Sequence, residues 1–315
     1  MNRILFHSKS IVIIFILIGI FSSNLAQKNL RNFIRVNFDQ SMGKGIHFSP
    51  RDYYRITHTE KKRLELLNFF RSIYNKRSSI EPYSEPLIPL IIHDIWLGPN
   101  TPPASFKLWQ ASWLKLHPKW RYILWTDNDV KKIKLINQDL YDLAINWGEK
   151  SDILRIELLN QFGGLYKDVD FECLKPFDEL HYLFDFYTGI GPFDKTPFYI
   201  GNGLIASSPG HPIIQAYIDG IKYNHGKTLV ADRTGPPFFI KLLHQMLNNV
   251  KYSRSIALPS SYFYPVERHQ KTFNKQQKQA LCQSESMAIH HWAASWNCPK
   301  GYVDGKKPPY RHKGR

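Results

Sequence analysis

The chain has 315 residues, with 42 Lys and Arg against 26 Asp and Glu, so its formal net charge is +16. A hydrophobic fraction of 43% with 14% aromatic residues excludes a disordered chain. The length suffices for one large core, or for one core with an appendage.

The first 26 residues have the pattern of a secretory signal. Arg3 and Lys9 precede an apolar run at 11–21, and small residues follow at 22–26. The run is short for a membrane span, which favours a cleaved signal peptide, although a signal anchor stays open. We therefore expect a protein of the secretory pathway or cell envelope, either secreted or membrane-anchored. This start, and the lack of a recognised nucleic-acid motif, disfavour a nucleic-acid partner.

Residues 27–85 form a basic segment in which one helix is expected, from 61 to 74. Leu64, Leu67, Phe70 and Tyr74 fall on one face of that helix. The segment is interpreted as a stem. Its helix either docks a partner or, as ordinary amphipathic helices do, packs on the domain that follows.

Strand and helix patterns alternate from 86 to 299, which predicts one α/β domain with a layered, mainly parallel sheet. The residues expected in strands are 87–96 and 122–125, with later strands near 189–192 and 203–206. The residues expected in helices are 105–116, 135–146, 211–223 and 237–247. Folds of this class bind ligands at the carboxyl ends of their strands.

The segment from Ser151 to Glu172 contains the chemistry that stands out most. Ser151 is expected to cap a helix that Gly163 and Gly164 end. Asp168 and Asp170 are predicted on the strand that follows, and residues two apart on a strand point the same way. Carboxylates suit Mn²⁺ or Mg²⁺, and few protein ligands leave coordination positions free for a diphosphate. The alternative is a solvated pair of loop carboxylates.

The sequence SDILR at 151–155, followed by GGLYKDVD at 163–170, resembles the Asp-X-Asp sugar-binding region of glycosyltransferase family 32. This family includes yeast-type initiating α-1,6-mannosyltransferases and inositol-phosphoceramide mannosyltransferases, and it is similar to the glucosylating domains of large clostridial toxins. Further matching blocks are IPLIIHDIWLGP at 88–99, HPKWRYILWTD at 117–127 and HHWAASW at 290–296.

The resemblance implies a GT-A-type, Rossmann-like nucleotide-sugar transferase domain. It also implies a metal-dependent, retaining transfer of mannose, glucose or galactose from a nucleotide sugar to a hydroxyl of a glycan or glycolipid. Two other functions remain open from the residues alone. They are a secreted metal-dependent phosphohydrolase and a non-catalytic carbohydrate-binding module.

Roles for individual residues follow from the same resemblance. Trp96 is expected to stack on the nucleotide base, or else to pack in the core. Asp152 is expected to accept sugar hydroxyls and Arg155 to donate to the sugar or diphosphate, or else the two form a local ion pair on one helix face. Arg155 is counted with Asp168 and Asp170 as catalytic. Asn202, between two glycines, is expected either to bind the donor sugar or to occupy a turn.

The block HHWAASW is expected to complete the donor site. Strand alternation allows only one of its two histidines to face the carboxylates, and His290 is chosen as a third metal ligand. Ser295 and Trp296 are implied to close over the diphosphate. The alternative for both histidines is a buried packing role.

The remaining expectations concern the cysteines and the C-terminal tail. Cys282 and Cys298 flank the HHWAASW block and would pair in an oxidising compartment, whereas in a reducing one both are free thiols. The tail at 300–315 is basic, so it attracts membrane headgroups, anionic glycans or an acidic acceptor, or is simply solvated.

Overall fold

The computed structural model describes residues 36–42, 58–191, 199–227, 229–247 and 254–293. The predicted signal segment, the basic tail, Ser295, Trp296 and Cys298 lie outside these residues, so the predictions made for them stay predictions. Among the described helices, none is both long enough and apolar enough to cross a membrane.

A six-stranded sheet forms the centre of the fold, and a two-stranded sheet lies beside it. The described strands are β1 (Ile91–Ile95), β2 (Arg121–Trp125), β3 (Gly164–Lys167), β4 (Phe171–Cys173), β5 (Phe186–Ile190), β6 (Ile200–Ser207), β7 (Ser255–Leu258) and β8 (Ala288–His290). The strand order in the large sheet is β2-β1-β3-β6-β5-β7, and β4 pairs with β8 in the small one. In the large sheet, β6 is antiparallel to both of its neighbours, and all other pairs are parallel. The predicted α/β, Rossmann-like class with a mainly parallel central sheet is confirmed.

Helices cover this sheet. Those described are α1 (Phe38–Ser41), α2 (His58–Lys76), α3 (Ala104–Leu116), α4 (Asp127–Val130), α5 (Gln138–Leu143), α6 (Trp147–Phe162), α7 (Asp178–Leu183), α8 (Pro212–Asn224), α9 (Val230–Thr234), α10 (Pro236–Met246), α11 (Ser260–Phe263) and α12 (Lys275–Leu281). Alternate side chains of β3 show the layering. Tyr166 lies under the guanidinium of Arg155 on α6, and Lys167, on the other face, lies under Trp113 of α3. Both faces of β3 are therefore buried.

The helix that leads to the Asp-X-Asp segment begins earlier than the sequence suggested. The N-cap is Asn146, whose side chain accepts a hydrogen bond from the backbone N–H of Glu149 at 2.7 Å. Ser151 therefore lies inside α6, and Asp152 is more than a turn away from the helix start, so the prediction of a cap at Ser151 was wrong. The end was predicted correctly, because Gly163 and Gly164 adopt φ angles of 61° and 97° there.

Two predicted elements are shorter than expected, because some of their backbone N–H groups form hydrogen bonds with residues distant in the sequence. The strand predicted at 87–96 shrinks to β1, since the N–H groups of Leu87 and Ile88 donate to the carbonyl of His181. The helix predicted at 135–146 shrinks to α5, since the carboxylate of Glu157 accepts from the N–H groups that precede it.

The helix predicted at 61–74 spans His58–Lys76 and packs against the sheet domain. Leu66, Leu67, Phe70 and Tyr74 are buried, and the hydroxyl of Tyr74 lies 2.9 Å from that of Tyr262 on α11. The described part of the N-terminal segment therefore shares the domain's core. The boundaries drawn at 27–85 and 86–299 stay predictions.

Candidate functional site

The two carboxylates of the Asp-X-Asp segment lie in a turn between the two sheets. Asp168 directly follows β3, and Asp170 directly precedes β4. The backbone N–H of Asp168 donates to Gly203 on β6 at 2.7 Å, and the N–H of Phe171 returns to the carbonyl of Asp168 at 3.1 Å. The prediction that both aspartates sit on one strand was wrong. The turn, rather than strand alternation, brings their carboxylates together.

The Asp168 carboxylate is bound by protein groups on one side, and its side chain is 31% exposed. Its Oδ1 accepts from the hydroxyl of Tyr166 at 2.6 Å and lies 3.4 Å from Nη1 of Arg155. Its Oδ2 sits against Gly203, where a Cβ atom would come within 2.7 Å. Gly203 thus makes room for the Asp168 carboxylate.

Asp170 is buried, and contacts from the far end of the chain surround it. Nε2 of His290 lies 3.1 Å from its Oδ1, and the N–H of Ala293 donates to its Oδ2 at 2.7 Å. Burial by itself raises the pKa of Asp170, but the histidine and this N–H outweigh it and bring the pKa down to about 2. The carboxylate is therefore ionised at neutral pH.

The two adjacent histidines point in opposite directions, as strand alternation predicts. His290 ends β8, faces Asp170 and stacks on Phe171 at 4.4 Å between ring centroids. His291 faces away, with Nε2 at 3.0 Å from Glu172 and its ring stacked on Trp109. Of the two, His290 is the one beside the carboxylates.

Asp168, Asp170 and His290 each offer one ligand atom, and these atoms all lie within 4.8 Å of one another. Two ligands about 2.1 Å from an octahedral ion and at right angles to each other are about 3 Å apart. The 3.1 Å between Nε2 of His290 and Oδ1 of Asp170 matches that spacing. The two carboxylates suit Mn²⁺ or Mg²⁺, and the imidazole adds a nitrogen ligand of the kind that transition-metal ions accept. The residues present fit a divalent cation.

Arg155 joins this cluster to the neighbouring helix face. Its Nη2 lies 3.0 Å from Oδ1 of Asp152, and its Nη1 donates to the carbonyl of Asn202 at 2.6 Å while lying 3.4 Å from Asp168. Burial lowers the pKa of Arg155, but Tyr166 and the two carboxylates more than compensate, so the group stays charged. One guanidinium thus spans the predicted sugar site and the predicted metal site.

Asp152 is a partly buried carboxylate, 13% exposed, with protein donors on both oxygens. Besides Arg155, Nδ2 of Asn202 donates to Oδ1 at 2.9 Å, and the hydroxyl of Thr234 donates to Oδ2 at 3.0 Å. Burial raises the pKa of Asp152 to about 6, although Arg155 and these two hydrogen bonds oppose the rise. Asn202 lies within β6, so its interpretation as a turn residue was wrong.

Trp96 directly follows β1, at the same carboxyl edge of the sheet as Asp168. Its Nε1 donates to the carbonyl of Asn100 at 2.6 Å, and its ring lies 6.1 Å from that of Phe106. The indole is partly exposed.

Sequence reasoning missed two charged pairs that support this site. Glu149 on α6 binds Arg233 on α9 through both oxygens. Lys167 and Asp94 form an ion pair of 2.8 Å whose side chains are wholly buried, and the hydroxyl of Tyr122 also donates to Asp94. The sequence signals of the second pair were Lys167 and Asp94, each a charged residue within a largely apolar strand.

Residues 103–185 match the family described as "Glycosyltransferase sugar-binding region containing DXD motif". This part of the chain is therefore similar to the sugar-binding region of that family. The matched region includes Asp152, Arg155 and the two aspartates of the turn, so the resemblance stated from the sequence is confirmed.

Named relatives agree with this family. "Inositol phosphoceramide mannosyltransferase 2" of Schizosaccharomyces pombe is 30% identical over 147 residues, which are 44% of this chain and 40% of that protein. "Uncharacterized glycosyltransferase L373" of Acanthamoeba polyphaga mimivirus is 27% identical over 188 residues, 57% of this chain and 74% of that protein. The match thus spans less than half the length of the fission-yeast relative. The solved structure "PaToxG Glycosyltransferase" aligns with 63% of this chain and 80% of its own, at a TM-score of 0.44 and 22% identity.

Proposed function

We propose that this protein is a metal-dependent, retaining glycosyltransferase that moves a hexose from a nucleotide sugar to a hydroxyl of a glycan or glycolipid. One observation carries the proposal: the ligand atoms of Asp168, Asp170 and His290 lie within 4.8 Å of one another at the carboxyl edge of the sheet. The largely buried Asp152–Arg155 pair lies directly beside them. The retention of configuration follows from the family resemblance alone.

Asp168, Asp170 and His290 would hold Mn²⁺ or Mg²⁺, which supplies positive charge against the departing nucleoside diphosphate. Arg155 is placed to add a second, fixed positive charge, because its guanidinium lies between Asp168 and Asp152. Its side chain is only 7% exposed, so water screens that charge weakly.

The donor sugar is assigned to Asp152 and the base to Trp96. Asp152 accepts hydroxyl hydrogen bonds as a carboxylate, and Trp96 offers a partly exposed ring at the end of β1. The acceptor hydroxyl attacks from the face that the diphosphate leaves, and we assign no enzyme nucleophile. A trapped glycosyl-enzyme adduct would refute this last point.

The names of the relatives guide the choice of substrates. Because a fission-yeast relative is named an inositol phosphoceramide mannosyltransferase, a mannose donor and a glycolipid acceptor come first in the screen. Residence in the secretory pathway, and an association with its membranes, remain part of the proposal through the predicted N-terminal signal.

The test is a nucleotide-sugar screen with Mn²⁺ or Mg²⁺ that measures release of nucleoside diphosphate with and without acceptor. We expect acceptor-dependent release that chelation abolishes and that Asp168→Asn or Asp170→Asn lowers at least about 100-fold. Asp139→Asn, an exposed carboxylate on α5, is the matched control and should leave the rate unchanged.

Three other outcomes would contradict the proposal. Hydrolysis that no acceptor affects would favour the phosphohydrolase. Sugar binding that survives both substitutions, without turnover, would favour the binding module. If the wild-type protein released no nucleoside diphosphate from any donor, the proposed enzymatic activity would be rejected.

A further inference from the structure

A two-point ion pair ties the short helix α9 to the first turn of α6. Nε and Nη2 of Arg233 donate to Oε1 and Oε2 of Glu149 at 2.6 and 2.8 Å. The Glu149 side chain is 5% exposed and that of Arg233 is 17% exposed. Forked pairs of this kind fix orientation as well as distance, because both N–H groups must align with the carboxylate plane.

The residue after Arg233 contacts the proposed sugar site. Thr234 is buried, its hydroxyl donates to Oδ2 of Asp152 at 3.0 Å, and its carbonyl accepts from the hydroxyl of Tyr217 at 2.7 Å. Asp152 lies three residues after Glu149 on the same helix. The ion pair and the Thr234–Asp152 hydrogen bond therefore join the same two helices at neighbouring points.

The hydrogen bonds of Asp152 limit what else it can accept. A carboxylate has about four lone-pair directions, two on each oxygen. Asn202 uses one direction on Oδ1, beside which Nη2 of Arg155 lies at 3.0 Å, and Thr234 uses one on Oδ2. One lone-pair direction on Oδ2 remains for another donor, and the hydrogen bond from the Thr234 hydroxyl fixes the orientation of the carboxylate.

We propose that Glu149 and Arg233 are positioning residues which hold Thr234 against Asp152, so that Oδ2 accepts one hydroxyl of the donor sugar. Thr234 thereby becomes a determinant of donor specificity without transferring any group itself. This inference rests on the proposed function, because it requires a sugar at Asp152.

A purely structural clamp would change stability and leave donor recognition unaltered. The two cases separate when the Thr234 hydroxyl is removed without a change in shape. Thr234→Val does this, Thr234→Ser restores the hydroxyl, and Arg233→Lys keeps the charge but removes the fork. Arg71→Lys is the matched control, because Arg71 also forms a two-nitrogen contact, with Asp39, on an exposed part of α2.

The experiment measures kcat and donor KM for the wild type and these variants, together with melting temperature. We expect Thr234→Val to raise donor KM about five- to tenfold, the typical effect of one lost hydrogen bond, with kcat within about twofold. Thr234→Ser should return to the wild-type KM, Arg233→Lys should raise KM in the same direction, and Arg71→Lys should leave it unchanged. In a series of deoxy donors, removal of one particular hydroxyl should raise KM strongly with the wild type and only slightly with Thr234→Val.

The result that overturns the inference is an active wild type whose donor KM is the same in Thr234→Val, whatever happens to the melting temperature. That result leaves the proposed function standing. If the wild type shows no activity with any donor, the proposed function is rejected, and this inference is rejected with it. If Arg233→Lys does not fold, the comparison of Thr234→Val with Thr234→Ser still separates the two cases.

Discussion

Gly203→Ala tests whether the site depends on the close packing of β6 against Asp168. The added Cβ would lie 2.7 Å from Oδ2 of Asp168, closer than real Cβ contacts come. The carboxylate has little freedom to yield, because its Oδ1 is held by the Tyr166 hydroxyl at 2.6 Å. The backbone cannot yield easily either, since the N–H of Asp168 donates to the carbonyl of Gly203 itself.

The size of the effect follows from these distances. Relief of the contact from 2.7 Å to the 3.4 Å of ordinary packing displaces Oδ2 by 0.7 Å. Metal sites tolerate errors of only about 0.2 Å in ligand position. We therefore expect the affinity for Mn²⁺ to fall about 10- to 100-fold, the range seen when the groups supporting a metal ligand are lost.

Calorimetric titration of the purified protein with Mn²⁺ measures this affinity without any substrate. Gly226→Ala is the matched control, because a Cβ there meets nothing within 4 Å. Equal Mn²⁺ affinity of Gly203→Ala and Gly226→Ala, with both proteins folded, would refute this dependence on close packing. Absence of Mn²⁺ binding in both variants and in the wild type would refute it as well.

Three further predictions concern charged groups. Burial raises the pKa of Asp152 from its usual 3.8 to about 6, so the charged carboxylate lowers the stability of the fold above pH 6, and this cost is lost as the pH falls from about 6 to 3.8. Donor kcat/KM should fall as the pH drops through about 6, because the carboxylate becomes protonated. A flat pH profile would count against a sugar bound at Asp152. Lys167→Met should destabilise the fold by about 3–5 kcal/mol in urea unfolding, because it leaves Asp94 charged and unpaired in the core, whereas the double variant with Asp94→Leu should recover most of that loss. His290→Ala should weaken Mn²⁺ binding at least about tenfold, and His291→Ala should leave it unchanged; equal effects would show that the ion does not distinguish the two rings.

Local sequence patterns predicted most of the fold. Helical spacing located α2, α3, α8 and α10, and the glycine pair at 163–164 located the end of α6, because these features depend on neighbouring residues. Two elements were predicted too long because distant groups took over their backbone hydrogen bonds. Glu157, for example, accepts from the N–H groups before α5 and so shortens the helix expected there.

The site was predicted as a set of residue types, whereas its arrangement required the structure. Asp168, Asp170 and His290 lie together, although the reason given for the first two was wrong, and their role as metal ligands stays a prediction. The contacts of Thr234 with Asp152 and of Arg233 with Glu149 join residues more than 80 positions apart. No periodicity or spacing in a single sequence encodes such pairs, because they arise only when α9 packs on α6.

The contact between Asp170 and His290 joins positions 120 residues apart, and the ion proposed between them would close that loop as a reversible cross-link. Such a tie exists only in the folded chain, so cation concentration becomes a variable of folding as well as of chemistry. At 100 times the dissociation constant the gain is about 2.7 kcal/mol, enough to change how long strand β8 stays paired with β4. The metal level of the surrounding compartment would then set both the rate of sugar transfer and the resistance of the C-terminal strand to unfolding.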